Sequence, residues 1–292
     1  MHGLLNVDKP VGMSSFHAVR RVRRLTGVQR AGHGGTLDPA ASGVLPILLG
    51  RATRVAPFVH EWPKTYRAGV RLGFVSDTYD REGTITPTGA GGSVTEEAIR
   101  QALPQFRGRI LQIPPMHSAL KMGGEALYRK ARRGETVERP AREVEIHRLE
   151  LIEHDPQAGR FELEVTCGRG MYVRSLVSDL GARLGCGAYL ASLRRTVFGP
   201  LTAKEAVTLE ALESAGTDWS RWLLPLDLPL RDFPVVKLEP ARARAIRNGQ
   251  AVLAPEAAET GRYRLVDGEG RLLGLGLVDR RGLVRPKAVF PV

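Results

Sequence analysis

A short loop rich in glycine and proline carries the acidic side chain that is best placed for chemistry. The loop covers residues 30–43, and Asp38 stands in it directly before Pro39. Proline restricts the preceding residue to extended conformations, which fixes the direction of the Asp38 carboxylate. The loop glycines let the backbone approach a ligand closely. A carboxylate held in this way can attack or polarise an electrophilic carbon, although an ordinary Asp-Pro turn has the same local sequence.

A second segment, residues 167–176, places an arginine at the start of a predicted helix. Gly168 and Gly170 turn the chain after a strand, and the helix is predicted over residues 172–184. Arg174 falls in the first turn of this helix, where its charge opposes the helix dipole. A buried acidic partner explains such an arginine better than a surface position does.

The elements that must position these residues predict an α+β protein with a mixed sheet, because strands predominate and helices lie between them. Residues 64–73 alternate between apolar and polar side chains, as a half-buried strand does. Residues 30–43 are predicted to be irregular. The other predicted strands cover residues 4–7, 110–113, 143–152, 160–167 and 188–197. A helix over residues 93–103 is expected to begin with a capping box formed by Ser93 and Glu96.

The first predicted helix begins at Ser14 or Ser15 and ends at Gly27, a residue typical of helix C-termini. The residues expected on its apolar face are Phe16, Val19, Val22 and Leu25. The other face carries the arginines Arg20, Arg21, Arg23 and Arg24. These arginines indicate either a solvated surface or an RNA contact, and the pattern alone favours the solvated surface.

The charge indicates either a nucleic-acid partner or a generally basic surface that aids solubility, and the composition excludes several other classes. The 292 residues include 43 Lys+Arg against 31 Asp+Glu, a net charge of +12. Such a charge is typical of proteins that bind polyanions, because neutralised phosphates release counterions.

The two cysteines are far apart and the histidines lack metal-ligand spacing, so we expect no disulfide and no metal. The N-terminus lacks signal-peptide features and no apolar stretch could span a membrane, so we expect a cytoplasmic protein.

A family resemblance emerges from several motifs that follow one another in a fixed order. They occupy residues 8–10 with 12–15, 31–39, 64–67 with 72–73, 77–80, 113–121, 170–180 and 193–195. In this combination the sequence resembles the bacterial tRNA pseudouridine-55 synthase family over essentially its whole length. The resemblance implies a monomer that isomerises one uridine in the TΨC arm of tRNA and needs no cofactor and no metal.

The resemblance also implies roles for eight residues. Asp38 is expected to be catalytic, Tyr66 to stack on the flipped uracil, and Arg174 to pair with Asp38. The residues expected to bind or support the substrate are His33 against the RNA, Tyr172 and Leu193 in the base pocket, Asp80 behind the pocket, and Lys9 beneath the site. Ordinary core packing explains Tyr172 and Leu193 equally well from sequence.

The family's domain organisation agrees with a change of composition near residues 215–234. The expected mixed-sheet catalytic domain covers residues 1–230, with an RNA-binding insertion at 117–139. A β-rich, PUA-like RNA-binding module is expected over residues 233–292.

The sequence departs from the family at Gly34, where threonine is usual, and at Tyr79, where a small residue is usual. These departures predict a more flexible loop at residue 34 and a less certain position for Asp80.

The implied reaction breaks the N1–C1′ bond, turns the uracil and joins C5 to C1′, which requires the base to be flipped out. Asp38 could attack C1′, attack C6 or remove the 2′ proton, and the sequence does not distinguish these routes. Arg174 is expected to keep Asp38 ionised.

The alternative functions are a tRNA-folding chaperone, as an additional or sole role, and a base-excising glycosylase. A glycosylase would release free uracil, whereas the isomerase product is mass-neutral.

Overall fold

A computed structural model describes residues 1–89, 94–118, 120–254 and 258–290. The strands before residue 210 are β1 (Gly3–Lys9), β2 (Ala31–His33), β3 (Ala41–Leu49), β4 (Lys64–Leu72), β5 (Phe74–Ser76), β6 (Ile85–Pro87), β7 (Gly108–Gln112), β8 (Lys121–Met122), β9 (Glu125–Ala126), β10 (Arg142–Asp155), β11 (Arg160–Cys167), β12 (Ala188–Phe198), β13 (Leu201–Thr202) and β14 (Val207–Thr208). The α-helices are α1 (Ser15–Thr26), α2 (Ala56–Glu61), α3 (Glu96–Ala102), α4 (Leu127–Arg132), α5 (Val173–Arg183), α6 (Leu209–Ser214) and α7 (Pro240–Arg247).

The main sheet is mixed, which confirms the predicted α+β class. Its strand order is β14-β1-β3-β12-β4-β11-β10-β7, with β2 beside β3 and β13 beside β12. The pairs β1–β14 and β3–β12 are parallel, whereas β4 runs antiparallel to both β11 and β12. This order brings the middle of β12 next to the start of β3, so the residue pair Leu193 and Ala41 adjoins the Asp38 loop.

Strand β3 lies at the centre of this sheet, and the sequence prediction missed it. Its residues 44–49 are all buried, so they lack the alternation that marks a half-buried strand. The prediction that residues 30–43 are irregular is therefore partly wrong, since β2 and the start of β3 fall inside them. Leu45 and Ile47 pack on the α1 side of the sheet, and Leu48 packs on the other.

The remaining predicted elements are present with small shifts in their limits. Strand β4 buries Tyr66, Ala68, Val70 and Leu72 on one face, as its alternation predicted. Helix α5 begins at Val173 and ends at Arg183, one residue inside each expected limit. The cap of α3 is Thr95, whose hydroxyl accepts from the Ala98 N–H, and not Ser93, which lies outside the described residues.

Helix α1 has the predicted caps but a different buried face. The Ser14 hydroxyl accepts from the His17 N–H, and Gly27 ends the helix with a left-handed φ of 68°. Phe16, expected in the core, is 65% exposed, while Ser15 and Ala18 are buried instead. The Ser15 hydroxyl bonds to the backbone of Leu37, so its side of the helix must face inward.

The C-terminal module is β-rich with one short helix, as predicted. Its strands are β15 (Val235–Lys237), β16 (Val252–Leu253), β17 (Gly261–Val266), β18 (Leu272–Val278) and β19 (Leu283–Val289), in the order β15-β17-β18-β19-β16. Leu275 and Phe290 share a hydrophobic cluster with Leu4 and Phe198 of the main sheet. The module therefore packs directly on the body that carries the Asp38 loop. No helix of the described ranges is long and apolar enough to cross a membrane.

The expected RNA-binding insertion contains a small hairpin and a short helix. Strands β8 and β9 pair antiparallel, and α4 follows them. Gly123 and Gly124 both have positive φ and form the turn of this hairpin. Leu127 anchors the segment because its side chain is fully buried.

Candidate active site

The Asp38 loop is held from one side by the segment that leads into α1. The Ser15 hydroxyl donates to the Leu37 carbonyl at 2.9 Å and accepts from the Leu37 N–H at 2.8 Å. The Gly12 N–H donates to the Pro39 carbonyl at 2.8 Å. The backbone on both sides of Asp38 is thus tied to a rigid element, which limits the movement of the carboxylate.

Arg195 of β12 holds the same loop from the other side. Its guanidinium donates to the carbonyls of Val44 at 2.7 Å, Gly35 at 3.1 Å and Thr36 at 3.3 Å. Only 1% of Arg195 is exposed, and its charge lies 4.6 Å from the centre of the Phe198 ring. Within the described ranges, Arg195 forms no ion pair with a carboxylate. Its buried positive charge is stabilised instead by backbone carbonyls and aromatic rings.

Arg195 was not predicted as a site residue, because the alternation of polar and apolar residues along β12 does not show that its side chain is buried. Register shifts lie between Leu190 and Ser192 and between Arg195 and Val197 in the pairing of β12 with β4. A bulge changes which residues face the core, so simple counting along β12 fails there. The neighbouring Arg194 instead reaches Asp8 at 2.7 Å and is 42% exposed.

Arg174 joins two carboxylates at the bottom of a cleft. Its Nη2 lies 3.0 Å from Oδ2 of Asp38, and its Nη1 lies 3.5 Å from Oδ2 of Asp80. The same guanidinium donates to the carbonyls of His117 at 2.8 Å and Thr78 at 3.3 Å. Arg174 is 5% exposed, so one buried cation connects the Asp38 loop, the Asp80 turn and the insertion.

Asp80 is firmly positioned, although Tyr79 before it is unusual. Tyr79 has a φ of 64°, in the left-handed region that non-glycine residues seldom adopt. The Thr78 hydroxyl donates to Oδ1 of Asp80 at 2.7 Å, and the Glu82 N–H donates to the same atom at 3.0 Å. These bonds orient the second carboxylate oxygen toward Arg174, so the departure at residue 79 leaves the geometry of Asp80 intact.

Gly34 is tightly packed, contrary to the flexibility expected from the missing threonine. A Cβ atom added at this position would collide with the side chain of Val59. The Gly34 N–H also donates to the Pro46 carbonyl at 2.8 Å. Glycine is therefore the residue that fits between β3 and α2 at this point, and the loop is held close to the sheet.

Burial dominates the electrostatics of Asp38. The Asp38 side chain is 42% exposed, but the protein packed around its carboxyl raises the pKa above the ordinary value, while Arg174 and Lys9 act in the opposite direction. Arg174 thus favours the ionised form as expected, but burial outweighs it. Lys9 is fully buried, with its ammonium bonded to the carbonyls of Pro10 and Met13, and burial lowers its pKa to about 8.

The structure brings four of the eight expected site residues together in one cleft. The cleft is lined by Asp38, Asp80, Arg174 and Leu193, together with Ala40, Ala41, Arg81 and residues 190–192. Lys9 does not line the cleft, but its charge favours the ionised form of Asp38. His33 and Tyr172 also lie outside this lining. Burial lowers the pKa of His33, and the charges of Arg195 and His60 act in the same direction. The backbone N–H and carbonyl of Tyr172 are both hydrogen-bonded to the Gln112 side chain.

Tyr66 approaches the site from β4 and is 8% exposed. The Arg195 guanidinium lies 6.0 Å from the centre of its ring. Burial raises the pKa of the Tyr66 hydroxyl, and Arg195 opposes this rise. Arg195 thus contacts both the loop that carries Asp38 and the ring expected to stack on the base. Among the described residues no cluster of histidine, cysteine, aspartate and glutamate could hold a metal ion.

Three family models match the chain one after another. The model of the TruB family pseudouridylate synthase, N-terminal domain, matches residues 23–173. The model of the tRNA pseudouridylate synthase B C-terminal domain matches residues 174–231. A third model, pseudouridine synthase II TruB, C-terminal, matches residues 234–290. The Asp38 loop, Tyr66 and Asp80 all lie within the first match, which ends one residue before Arg174.

Curated relatives and solved structures agree with these matches. The chain is 44% identical to tRNA pseudouridine synthase B of Pseudomonas putida (strain GB-1), covering 99% of this chain and 95% of that protein. It is 47% identical to tRNA pseudouridine synthase B of Azoarcus sp. (strain BH72), covering 99% and 94%. The crystal structure of a Cbf5-Nop10-Gar1 complex contains a chain with 26% identity and a TM-score of 0.75, covering 99% of this chain and 85% of that one. This protein therefore belongs to the TruB family of pseudouridylate synthases.

Proposed function

We propose that this enzyme isomerises the uridine at position 55, in the TΨC arm of tRNA, to pseudouridine, with Asp38 as the catalytic group. Family membership and the relatives named tRNA pseudouridine synthase B support the reaction and the tRNA substrate. The observation that carries the assignment of Asp38 is its 3.0 Å ion pair with the buried Arg174 in a cleft. No observation favours an RNA chaperone as an alternative.

The reaction is internal to one nucleotide. The N1–C1′ bond breaks, the uracil turns, the C5–C1′ bond forms, and the proton lost from C5 is balanced by one gained at N1. Asp38 supplies a carboxylate beside the ribose, and Arg174 stabilises the ionised form of that carboxylate. Leu193 and the other apolar residues of the cleft exclude water from the base while it is detached.

The cleft is narrow in this structure, with a free volume of about 10 Å³, roughly the room needed for one water molecule. We propose that part of its wall moves when a flipped uracil enters. Arg174 ties this wall to the insertion through the His117 carbonyl. We propose that the insertion at residues 117–139 moves when RNA binds.

We also propose that residues 233–292 form a PUA-like domain that adds RNA affinity.

The proposed function is tested by incubating the protein with unmodified tRNA. Carbodiimide labelling followed by primer extension should then locate a single pseudouridine in the TΨC arm. Release of free uracil would identify a glycosylase instead. Unchanged tRNA after incubation with folded protein would contradict the proposal as a whole.

Two substitutions of Tyr66 should separate stacking from the role of its hydroxyl. Tyr66→Phe keeps the aromatic face and should bind tRNA normally, whereas Tyr66→Leu should lose about 1–3 kcal/mol of stacking energy. If Tyr66→Phe also reacts at the wild-type rate, stacking is the main role of the ring. If it binds normally but reacts slowly, the hydroxyl beside Arg195 takes part in the reaction. Wild-type activity of both variants would exclude Tyr66 from the site.

Limited digestion with trypsin should show whether the insertion moves on tRNA binding. It contains the exposed or partly exposed cleavage residues Lys121, Arg129, Lys130 and Arg132. We expect cleavage between residues 117 and 139 in the free protein and protection when tRNA is bound, because phosphates would cover these side chains. Equal cleavage with and without tRNA would contradict an RNA-binding role for the insertion.

A further inference from the structure

The outward side of α1 combines an exposed aromatic ring with a row of arginines. Phe16 is 65% exposed, and Arg20, Arg23 and Arg24 are exposed as well. A helix completes a turn in about 3.6 residues, so these four side chains fall along one stripe. We call this stripe, composed of Phe16, Arg20, Arg23 and Arg24, the arginine face.

Unlike Arg21 beside them, the arginines of this face form no ion pair among the described residues, although Arg24 is near enough to Glu213 to help lower the pKa of that carboxyl. Arg21 reaches Glu210 at 3.1 Å and Glu213 at 2.6 Å, both on α6. Within the part of the chain that the structure describes, no ion pair joins Arg20, Arg23 or Arg24 to a carboxylate. The acidic residues of the neighbouring helix thus pair with Arg21, and the arginine face keeps its positive charge.

The arginine face begins directly beside the Asp38 loop. Ser15, the residue before Phe16, bonds to both backbone groups of Leu37. Gly12 bonds to Pro39, and Val11 next to it is 52% exposed. A polynucleotide that inserts one nucleotide at Asp38 therefore has to pass close to the N-terminal end of α1.

We infer that the arginine face binds the single-stranded RNA that flanks the flipped nucleotide, with a base stacked on Phe16 and phosphates bound to Arg20 and Arg23. The inference rests on the proposed function, because it takes RNA as the substrate. An aromatic ring stacks on any base, and a guanidinium matches the geometry of a phosphate. A protein partner would need a larger apolar centre than Phe16 and Val11 provide.

The arginines are tested by measuring tRNA affinity against salt concentration in filter binding. The double variant Arg20→Gln/Arg23→Gln should reduce the slope of log affinity against log salt by about 1.4, since each phosphate contact on a single strand contributes about 0.7. The matched control is Arg100→Gln/Arg183→Gln, which removes two exposed helix arginines that already bond to Glu96 and Gln105. The control should keep the wild-type slope.

The ring is tested with Phe16→Ala, which should weaken tRNA binding about tenfold without changing the salt slope. Ile152→Ala, at another exposed apolar position, is its control. Single-turnover rates at saturating tRNA should stay at the wild-type value in the two control variants. Unchanged affinity and slope in the α1 variants, or equal losses in the controls, would overturn the inference. Failure of the wild-type protein to form pseudouridine would contradict only the proposed function, because binding is measured separately.

Discussion

Replacing Asp38 with asparagine should abolish pseudouridine formation while tRNA binding persists. Asparagine keeps the size and shape of the side chain but removes its charge and nucleophilicity. Losing a catalytic group of this kind costs several orders of magnitude in rate. Binding should survive because contacts between arginines or lysines and phosphates supply most of the affinity of such complexes. The measurements are single-turnover pseudouridine formation and filter binding of the same unmodified tRNA.

The same substitution should leave the fold intact. Arg174 keeps Asp80 at 3.5 Å and the carbonyls of His117 and Thr78, so it is not left buried without partners. Burial raises the pKa of Asp38 in the folded protein, which means that its ionised form costs stability. That cost appears as pH rises from the ordinary carboxyl pKa through the raised one, and asparagine removes it. The stability of Asp38→Asn relative to wild type should therefore increase with pH over this interval.

Thermal unfolding at a series of pH values checks this second expectation. A variant that is less stable than wild type at every pH would show that the Asp38–Arg174 pair contributes more than burial costs. A variant that binds tRNA and still isomerises uridine at a near wild-type rate would exclude this loop as the catalytic one.

Replacing Arg195 with methionine should slow the reaction about a hundredfold with little change in tRNA affinity. Methionine leaves the carbonyls of Gly35, Thr36 and Val44 without their donor, so the loop should shift. A misplacement of about 1 Å in a catalytic group can cost about 10²-fold in rate. The thermal midpoint should change modestly, because the lost hydrogen bonds are offset by removal of a buried charge.

The matched control is the neighbouring arginine on the same strand. Arg194→Met removes a half-exposed ion pair with Asp8, which is worth little. Arg195→Lys keeps the charge but cannot span three carbonyls as a planar guanidinium does, so it should restore only part of the rate. A wild-type rate in Arg195→Met, or an equal loss in Arg194→Met, would exclude the proposed control of loop position.

Features that depend on neighbours along the chain could be predicted from the sequence alone. Alternation identified β4 and its buried residues, and cap residues identified both ends of α1, because these patterns arise within a few residues. The Asp38-Pro39 pair indicated a directed carboxylate for the same reason. The expectation that Arg174 pairs with Asp38 came from the family resemblance, and in the structure the two side chains are 3.0 Å apart.

Contacts between side chains that are distant in sequence could be read only from the folded protein. Arg195 points into the core because β12 is irregular where it pairs with β4, and Phe16 points outward because Ser15 is held by Leu37. The buried strand β3 was missed because a strand covered on both faces has no alternation. Each of these outcomes depends on contacts between separate elements, and local sequence patterns carry no record of such contacts.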